Sequence, residues 1–366
     1  MGNHDTDHLL YSPVTLGSLE LNNRIVMAPL TRIRANTDGT PTEMMREYYA
    51  QRAEFGMIIT EGTWPIQEGR TWGQQPGIET DAHVNAWREI TEAVHERGGK
   101  IIMQIMHGGR ISHPELTGTG RTVAPSAIAA PDPIRISSGK VDPVIPHELH
   151  LDELATVIDQ FVAGARNAMA AGMDGVQVHG ANGYLLHEFL APTSNLRGDA
   201  YGASPEKRAR FVAEVVTAVA REIGAGNTGL RLSPQHNIQG AIETDDADVL
   251  AAYTALARSV KHLGLAHVEL VHHEPEGELI QTLRREFGAP LIVNTGFSRF
   301  TQREAVEELV DKQAADAVSV GRLALANPDL VRRWQLDGPL NEPNPETFYV
   351  GGEKGYTDYP VMEYSL

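Results

Sequence analysis

The chain contains no cysteine. That rules out a disulfide framework, a thiolate nucleophile, cysteine-ligated zinc and an iron–sulfur cluster. Cations are scarce as well: 31 Lys plus Arg face 48 Asp plus Glu, for a formal net charge of −17. This balance disfavours nucleic-acid and anionic-membrane partners, whose affinity rests largely on phosphate contacts. Any phosphate bound here needs a local cationic seat. Long hydrophobic runs are missing too, since no stretch reaches the roughly 18 uncharged apolar residues of a membrane span. The N-terminus, MGNHDTDHLLYSPVTL, has acidic rather than basic residues before a very short apolar patch, unlike a secretory leader. The expectation is a soluble cytoplasmic protein. Arg outnumbers Lys 25 to 6, which with the acidity leaves salt adaptation open beside ordinary drift.

At 366 residues the chain exceeds an ordinary domain but suits one α/β barrel, so residues 1–366 are read as a single domain. Residues 1–23 read as a tail and a small hairpin turning at Gly17-Ser18. Eight short apolar, β-branched runs follow: Arg24–Leu30, Met57–Gly62, Lys100–Met106, Gly175–Gly180, Gly229–Pro234, His267–His273, Pro290–Gly296 and Ala317–Arg322. Segments of helical period separate them, for instance Leu154, Val157, Ile158, Phe161 and Ala165, or Phe211, Val212, Val215, Val219 and Ile223. Ser204-Pro205 reads as a helix start, and Gly56, Gly98, Gly172, Gly224, Gly264 and Gly288 fall where a left-handed cap favours glycine. Strands alternating with helices must pair in parallel, and eight such units close into a (β/α)8 TIM barrel. Two insertions interrupt the rhythm. Residues 107–147, in which TVAPSAI and VDPVIP are expected to pair as an excursion hairpin, follow strand three; a Pro- and Gly-rich tail, residues 338–366, must pack back on the barrel.

In such a barrel the site lies at the C-terminal strand ends. The ends carry Thr31, Gly62, Gln104, then His179, Asn182 and Tyr184, then Arg231, Gly296, Gly321 and Arg322. No carboxylate is among them. The stretch VQVHGANGYLLHEFL stands out, because a strand stopping near Gly180 lets side chains three and five residues on from His179 converge above it. His187 in the same stretch is read as packing. Arg231, flanked by Leu230 and Leu232, faces opposite to both; it either pairs with a core carboxylate such as Glu269 or faces an electron-rich ligand. Gly296, Gly321 and Arg322 stand where such barrels bind phosphate, though glycines after strands also serve as plain turns, and Asn327-Pro328 is expected to start the last helix.

With these residues assembled, the chain resembles the old yellow enzyme family, the FMN-dependent ene-reductases, in its threonine-bearing, N-ethylmaleimide reductase-like branch. The likeness runs almost end to end, through RIVMAPLTRIRA, IITEGTWP, MQIMHGGRISHPEL, GVQVHGANGYLLHEFLAPTSNLRGDAYGAS, LRLSP and SVGRLALANPDLV. It implies non-covalent FMN, with NADPH or NADH as reductant and a small-molecule alkene as oxidant, in a monomer or homo-oligomer. By position, the resemblance assigns Thr31 to the flavin O4, the Ala28 and Pro29 backbone to the ring edge, and Gly62 and Gln104 to the pyrimidine. Arg231 goes to N1 and O2, and Gly296, Gly321 and Arg322 to the phosphate. His179 and Asn182 would bind the substrate's carbonyl or nitro oxygen, Tyr184 would donate the proton, and Met106 and Tyr349 would line the substrate pocket. Met106 stands where several members have tryptophan, Asn182 where others have histidine, and Gly108 and Ala203 also depart from common residues.

The expected reaction is reduction of the C=C bond of α,β-unsaturated carbonyls, maleimides or nitroalkenes, with nitrate esters as further candidates. A flavin-free barrel lyase or isomerase using the phosphate seat, and a non-catalytic flavin-binding module, are the competing readings. Physiological substrate, nicotinamide preference and oligomeric state are not legible.

Overall fold

Apolar runs with β-branched residues on both faces suit strands covered by a layer on each side. In the computed structural model all eight runs pair into one closed barrel. The structure describes residues 8–298, 300–350 and 352–363; the expected N-terminal tail lies, over residues 1–7, outside the described residues. The strands are β1 (Ile25–Met27), β2 (Met57–Ile59), β3 (Ile101–Ile105), β4 (Gly175–Gly180), β5 (Thr228–Leu232), β6 (His267–Val271), β7 (Leu291–Asn294) and β8 (Ala317–Val320). Each runs parallel to its neighbours in the chain, and β8 closes onto β1. Only β5 starts outside its expected run, by one residue.

The outer layer is built by α1 (Glu43–Ala50), α2 (Asp81–Glu96), α3 (Leu151–Ala170), α4 (Pro205–Ile223), α5 (Asp246–Val260), α6 (Glu278–Phe287), α7 (Arg303–Asp311) and α8 (Leu330–Gln335). Their starts are chemically marked: the side chains of Thr42, Thr80, Ser204 and Asp245 each accept an N–H from the first turn they precede. Their apolar stripes, Phe161 of α3 and Val215 and Val219 of α4 for example, join outward-facing Val176, Val178 and Leu230 in one core. Burying each such side chain contributes about 1.5–3 kcal/mol. Among the described residues no helix is long and apolar enough to cross a membrane.

Inside the barrel, Val26, Met57, Ile59, Ile102, Ile292 and Ala317 form a separate apolar layer with Leu16, Leu19 and Leu21. Those leucines come from the expected hairpin, Val14–Leu16 against Leu19–Leu21. The hairpin therefore plugs the N-terminal mouth and leaves the C-terminal one for a site. The C-terminal tail packs back through three arginines. Arg32 donates to the carbonyls of Phe348 and Gly355, Arg34 to those of Thr347 and Val350, and Arg52 to that of Tyr356, whose ring stacks 4.0 Å from Tyr48.

Three expectations are corrected. TVAPSAI and VDPVIP do not pair as one hairpin: Val123–Ala124 runs parallel to His147–Glu148, while Ile134–Ile136 forms its own hairpin with Gly139–Val141. Prolines 143 and 146 lack the N–H a ladder needs, which moves the pairing beyond VDPVIP on one side and confines it to Val141 on the other. Asn327-Pro328 does not start the last helix; Asn327 ends a short helix, Arg322–Ala326, and α8 begins at Leu330. Of the six cap glycines, five carry a positive φ, but Gly56 does not. It is required by space, because a Cβ there would sit 2.1 Å from the Asn23 carbonyl oxygen.

Ala203, one of the departures noted in the sequence, adopts φ +68 just before the Ser204 cap. A left-handed conformation costs a non-glycine residue about 1–2 kcal/mol, against the roughly 0.4–1 kcal/mol that glycine loses through its freer unfolded chain. Ala203→Gly is therefore expected to stabilise the protein by up to about 1 kcal/mol in urea unfolding; a net loss of stability would show that the left-handed strain is relieved elsewhere.

Candidate active site

Strand register decides which polar side chains meet inside the barrel. Gln104 lies beside Gln177, His179 beside Arg231, and Arg231 beside Glu269. Their chain neighbours Val176, Val178, Leu230 and Leu270 face the helices, so alternation turns Gln177, His179, Arg231 and Glu269 inward. Gln177, Arg231 and Glu269 join a continuous hydrogen-bonded floor, with His179 above it. Gln104 Nε2 donates to Gln177 Oε1 at 2.8 Å, and Gln177 Nε2 to Glu269 Oε2 at 2.9 Å. Arg231 Nη1 and Ser319 Oγ both donate to Glu269 Oε1, at 2.9 and 2.6 Å. Asn294 Nδ2 reaches Ser319 Oγ at 3.0 Å, and its Oδ1 accepts the Gly296 N–H at 3.0 Å. Of the two readings open for Arg231, the ion pair with Glu269 is present, yet Arg231 also faces a cavity and its Nε has no partner.

That cavity, of about 430 Å³, opens at the C-terminal strand ends. The structure brings all fourteen expected site residues to its wall: Ala28, Pro29, Thr31, Gly62, Gln104, Met106, His179, Asn182, Tyr184, Arg231, Gly296, Gly321, Arg322 and Tyr349. No carboxylate lines it among the described residues. Arg322, at the start of its short helix, donates to the Phe297 carbonyl at 2.8 Å and lies over the Phe300 ring. At Gly62 a Cβ would meet the Met106 sulfur at 2.7 Å, so a side chain there would crowd the cavity wall. The cavity thus joins cationic groups and strand-end glycines at one part with neutral hydrogen-bonding side chains at another, a donor set suited to an anionic, phosphate-bearing ligand.

The His179–Tyr184 turn is held from outside. Asn182 has φ +57, a conformation asparagine tolerates better than most residues. Its N–H donates to Ser233 Oγ at 2.8 Å, and Gln239 Nε2 donates to its carbonyl at 2.6 Å. The Gly183 N–H donates to His187 Nδ1 at 2.9 Å. His187 Nε2 meets Tyr253 Oη at 3.3 Å and lies 3.4 Å from Glu243. His187 is therefore more than packing: it buttresses the turn that aims Asn182 and Tyr184. The spacing of Gly183 and His187 within NGYLLH was the available signal.

Burial, with help from the nearby Arg231 charge, pushes the His179 imidazole well below its usual range, so it is neutral. Its Nδ1 and Asn182 Oδ1 have no partner. Burial raises the Tyr184 phenol, which keeps its proton at neutral pH. The His179 and Tyr184 rings lie 5.3 Å apart. Sequence reasoning missed Trp72, Gln239, Asn294, Phe297, Phe300 and Phe348, which also line the cavity. Most come from loops or the tail, where no periodicity marks an inward face. Asn294 alone ends a strand.

A family model described as the NADH:flavin oxidoreductase / NADH oxidase family matches residues 9–341. A probable flavin mononucleotide-dependent alkene reductase of Leishmania infantum is 41% identical over 364 residues, covering 97% of this chain and 98% of the relative. For 12-oxophytodienoate reductase 1 of Oryza sativa subsp. japonica, identity is 38% over 366 residues, covering 97% and 93%. The solved structure of an old yellow enzyme homologue from Zymomonas mobilis superposes with a TM-score of 0.91 at 40% identity, covering 96% of this chain and 99% of that one. Morphinone reductase superposes with a TM-score of 0.89 at 37% identity, covering 97% and 96%.

Glu269→Gln keeps the shape of the floor but leaves the Arg231 cation without its counter-ion, and stability is expected to fall by about 3–5 kcal/mol in urea unfolding. A loss below about 1 kcal/mol would show that Arg231 does not depend on that charge. In nitrogen-15 spectra the His179 imidazole is expected to stay neutral at pH values where an ordinary histidine is already protonated; a midpoint in the ordinary histidine range would undo the neutral assignment.

Proposed function

The chain belongs to the old yellow enzyme family of NADH:flavin oxidoreductases, and from that premise we propose how its residues carry the reaction. It is an FMN-dependent ene-reductase. FMN, when bound, supplies the relay that takes two electrons from a nicotinamide and passes them to an electron-poor alkene.

The residues present fit that group. A carboxylate-free cavity with an unpartnered Arg231 Nε suits a ring that gathers negative charge on reduction. Thr31 would hydrogen-bond the flavin O4 beside the Ala28 and Pro29 backbone, Gly62 and Gln104 would contact the pyrimidine, and Arg231 would meet N1 and O2. Gly296, Gly321 and Arg322 would hold the phosphate, the local cationic seat that a chain of net charge −17 requires.

His179 and Asn182 hold the substrate's carbonyl or nitro oxygen and stabilise the charge that gathers there as the C=C bond is reduced. Because His179 is neutral it acts as a hydrogen-bond donor rather than an acid. Tyr184 gives its proton to the α-carbon of the substrate and is re-protonated from solvent. Met106 and Tyr349 shape the space for the rest of the alkene; methionine at position 106 leaves a flexible wall, which suits varied unsaturated carbonyls, maleimides and nitroalkenes.

The observation that carries this reading is the convergence of His179, Asn182 and Tyr184 on the cavity that Arg231 and Arg322 also line. A flavin-free isomerase would need a base; with no carboxylate on the wall among the described residues that leaves His179, and burial beside the Arg231 charge disfavours the protonated form it would have to reach.

Under anaerobic conditions the yellow protein is expected to consume a nicotinamide when given cyclohexenone or a maleimide. Tyr184→Phe should slow alkene reduction by about 100-fold or more while nicotinamide oxidation stays normal. Unchanged alkene reduction in that variant would remove Tyr184 as the proton donor, and colourless protein would remove the flavin.

A further inference from the structure

Glu188 is fully buried one helical turn after the proton donor, and the reaction as described does not use it. Tyr184 stands at the cap of the short helix Leu185–Leu190, and the Glu188 N–H donates to the Tyr184 carbonyl at 2.8 Å. The Glu188 side chain leaves that helix for the loop after β3. There Oε1 accepts the Arg110 N–H at 2.9 Å, while Oε2 has no partner among the described residues. The His107 carbonyl of the same loop accepts the Leu185 N–H at 3.1 Å, so loop and helix are fastened at two points. Gly109, at φ +59, lets the loop lie flat on the carboxyl, because a Cβ there would run into it. The Arg110 guanidinium turns away, donating to the carbonyls of Ile128 at 3.3 Å and Gln239 at 3.5 Å. Gln239 in turn donates to the Asn182 carbonyl.

A carboxylate enclosed with one hydrogen bond and no paired cation is costly, and such a group keeps its proton instead. We propose that Glu188 is a positioning residue in its neutral carboxylic acid form, clamping the loop after β3 to the helix behind Tyr184 and, through Arg110, to the loop whose Gln239 holds the Asn182 turn. This role presupposes the ene-reductase reading, since alkene reduction is the step that needs Tyr184 and Asn182 in place. Burial pushes the Glu188 carboxyl up to about 8, against the pull of Arg110, so the acid form prevails at neutral pH. The other ionisable groups on the packed elements put no charge against it. Burial pushes His107 down to about 3, which leaves it neutral. His187 turns to Gly183 and Tyr253, Arg208 of α4 to the Leu190 carbonyl and Asp248, and Val123–Ala124 brings none. Ionisation of Glu188 would draw the Arg110 guanidinium off Gln239 and loosen the turn.

The test follows re-oxidation by the alkene against pH in the holoenzyme, for wild type and for Glu188→Gln, whose amide oxygen still accepts the Arg110 N–H but cannot ionise. Wild-type re-oxidation should fall about tenfold between about pH 7 and about pH 9, following the neutral fraction. Glu188→Gln should match wild type within about twofold near pH 7 and lack that fall. Tyr184, raised above an ordinary phenol, does not titrate in this range. Urea unfolding reads the proton apart from activity. The folded carboxyl holds its proton to higher pH than the unfolded one, so wild type loses stability as pH rises from about 4 to about 8. The urea midpoint of Glu188→Gln should climb relative to wild type across that window. Parallel re-oxidation profiles, a constant gap between midpoints, or a Glu188→Gln protein that is slow near pH 7 would each overturn the proposal. A widening gap in a protein that no alkene re-oxidises would place the proton on Glu188 while removing the ene-reductase reading.

Discussion

A cation enclosed in the middle of a β-barrel is the constraint around which the rest is arranged. Arg231, 2% exposed, would be prohibitively placed alone, and the fully buried Glu269 across the strand boundary is what makes it tolerable. Glu269 in turn accepts from Gln177 and Ser319, so its charge is shared by a network that reaches Gln104 on one side and Asn294 and Gly296 on the other. Such networks are valuable only when nearly complete. Here completeness ties the expected ring-binding and phosphate-binding parts of one cavity to a single rigid floor.

Above that floor, precision comes from Ser233, His187 and Tyr253, which do not line the cavity, and from Gln239, which does. The left-handed turn at Asn182 is held by Ser233, by His187 against Tyr253, and by Gln239 from the loop after β5. Gln235, Asn237 and Gln239 in that loop all adopt positive φ, each at a cost of order 1 kcal/mol. Glu243 anchors it, accepting the Gln235 N–H and the Tyr253 hydroxyl. Strain in the loop after β5 and a buried histidine in the short helix Leu185–Leu190 after β4 together aim the oxygen-holding side chains. The tail's contribution, Phe348 and Tyr349, is delivered in the same indirect way by arginines 32 and 34.

Much of this was legible beforehand for definite reasons. The eight strands announced themselves because a parallel sheet buried on both faces demands continuous apolar runs, and the strand ends then located the site. The excursion after β3 was misjudged because its pairing depends on which strands find partners with free N–H groups, and Pro143 and Pro146 shift that choice. His187 was undervalued because its role lies in contacts to Tyr253 and Glu243, more than fifty residues away in the chain.

Composition and periodicity by themselves determined the barrel, its order, and the polar residues at its strand ends, since strand alternation and helix period are local properties that tertiary packing only had to satisfy; Ala28, Pro29, Met106 and Tyr349 came from the family resemblance alone. Tertiary structure alone decided that Arg231 is both paired and cavity-facing, that Gly56 answers to space rather than to a left-handed cap, and that the Glu188 carboxyl meets the Arg110 N–H. Each of those facts depends on the register or close approach of segments far apart in sequence. No local pattern encodes them.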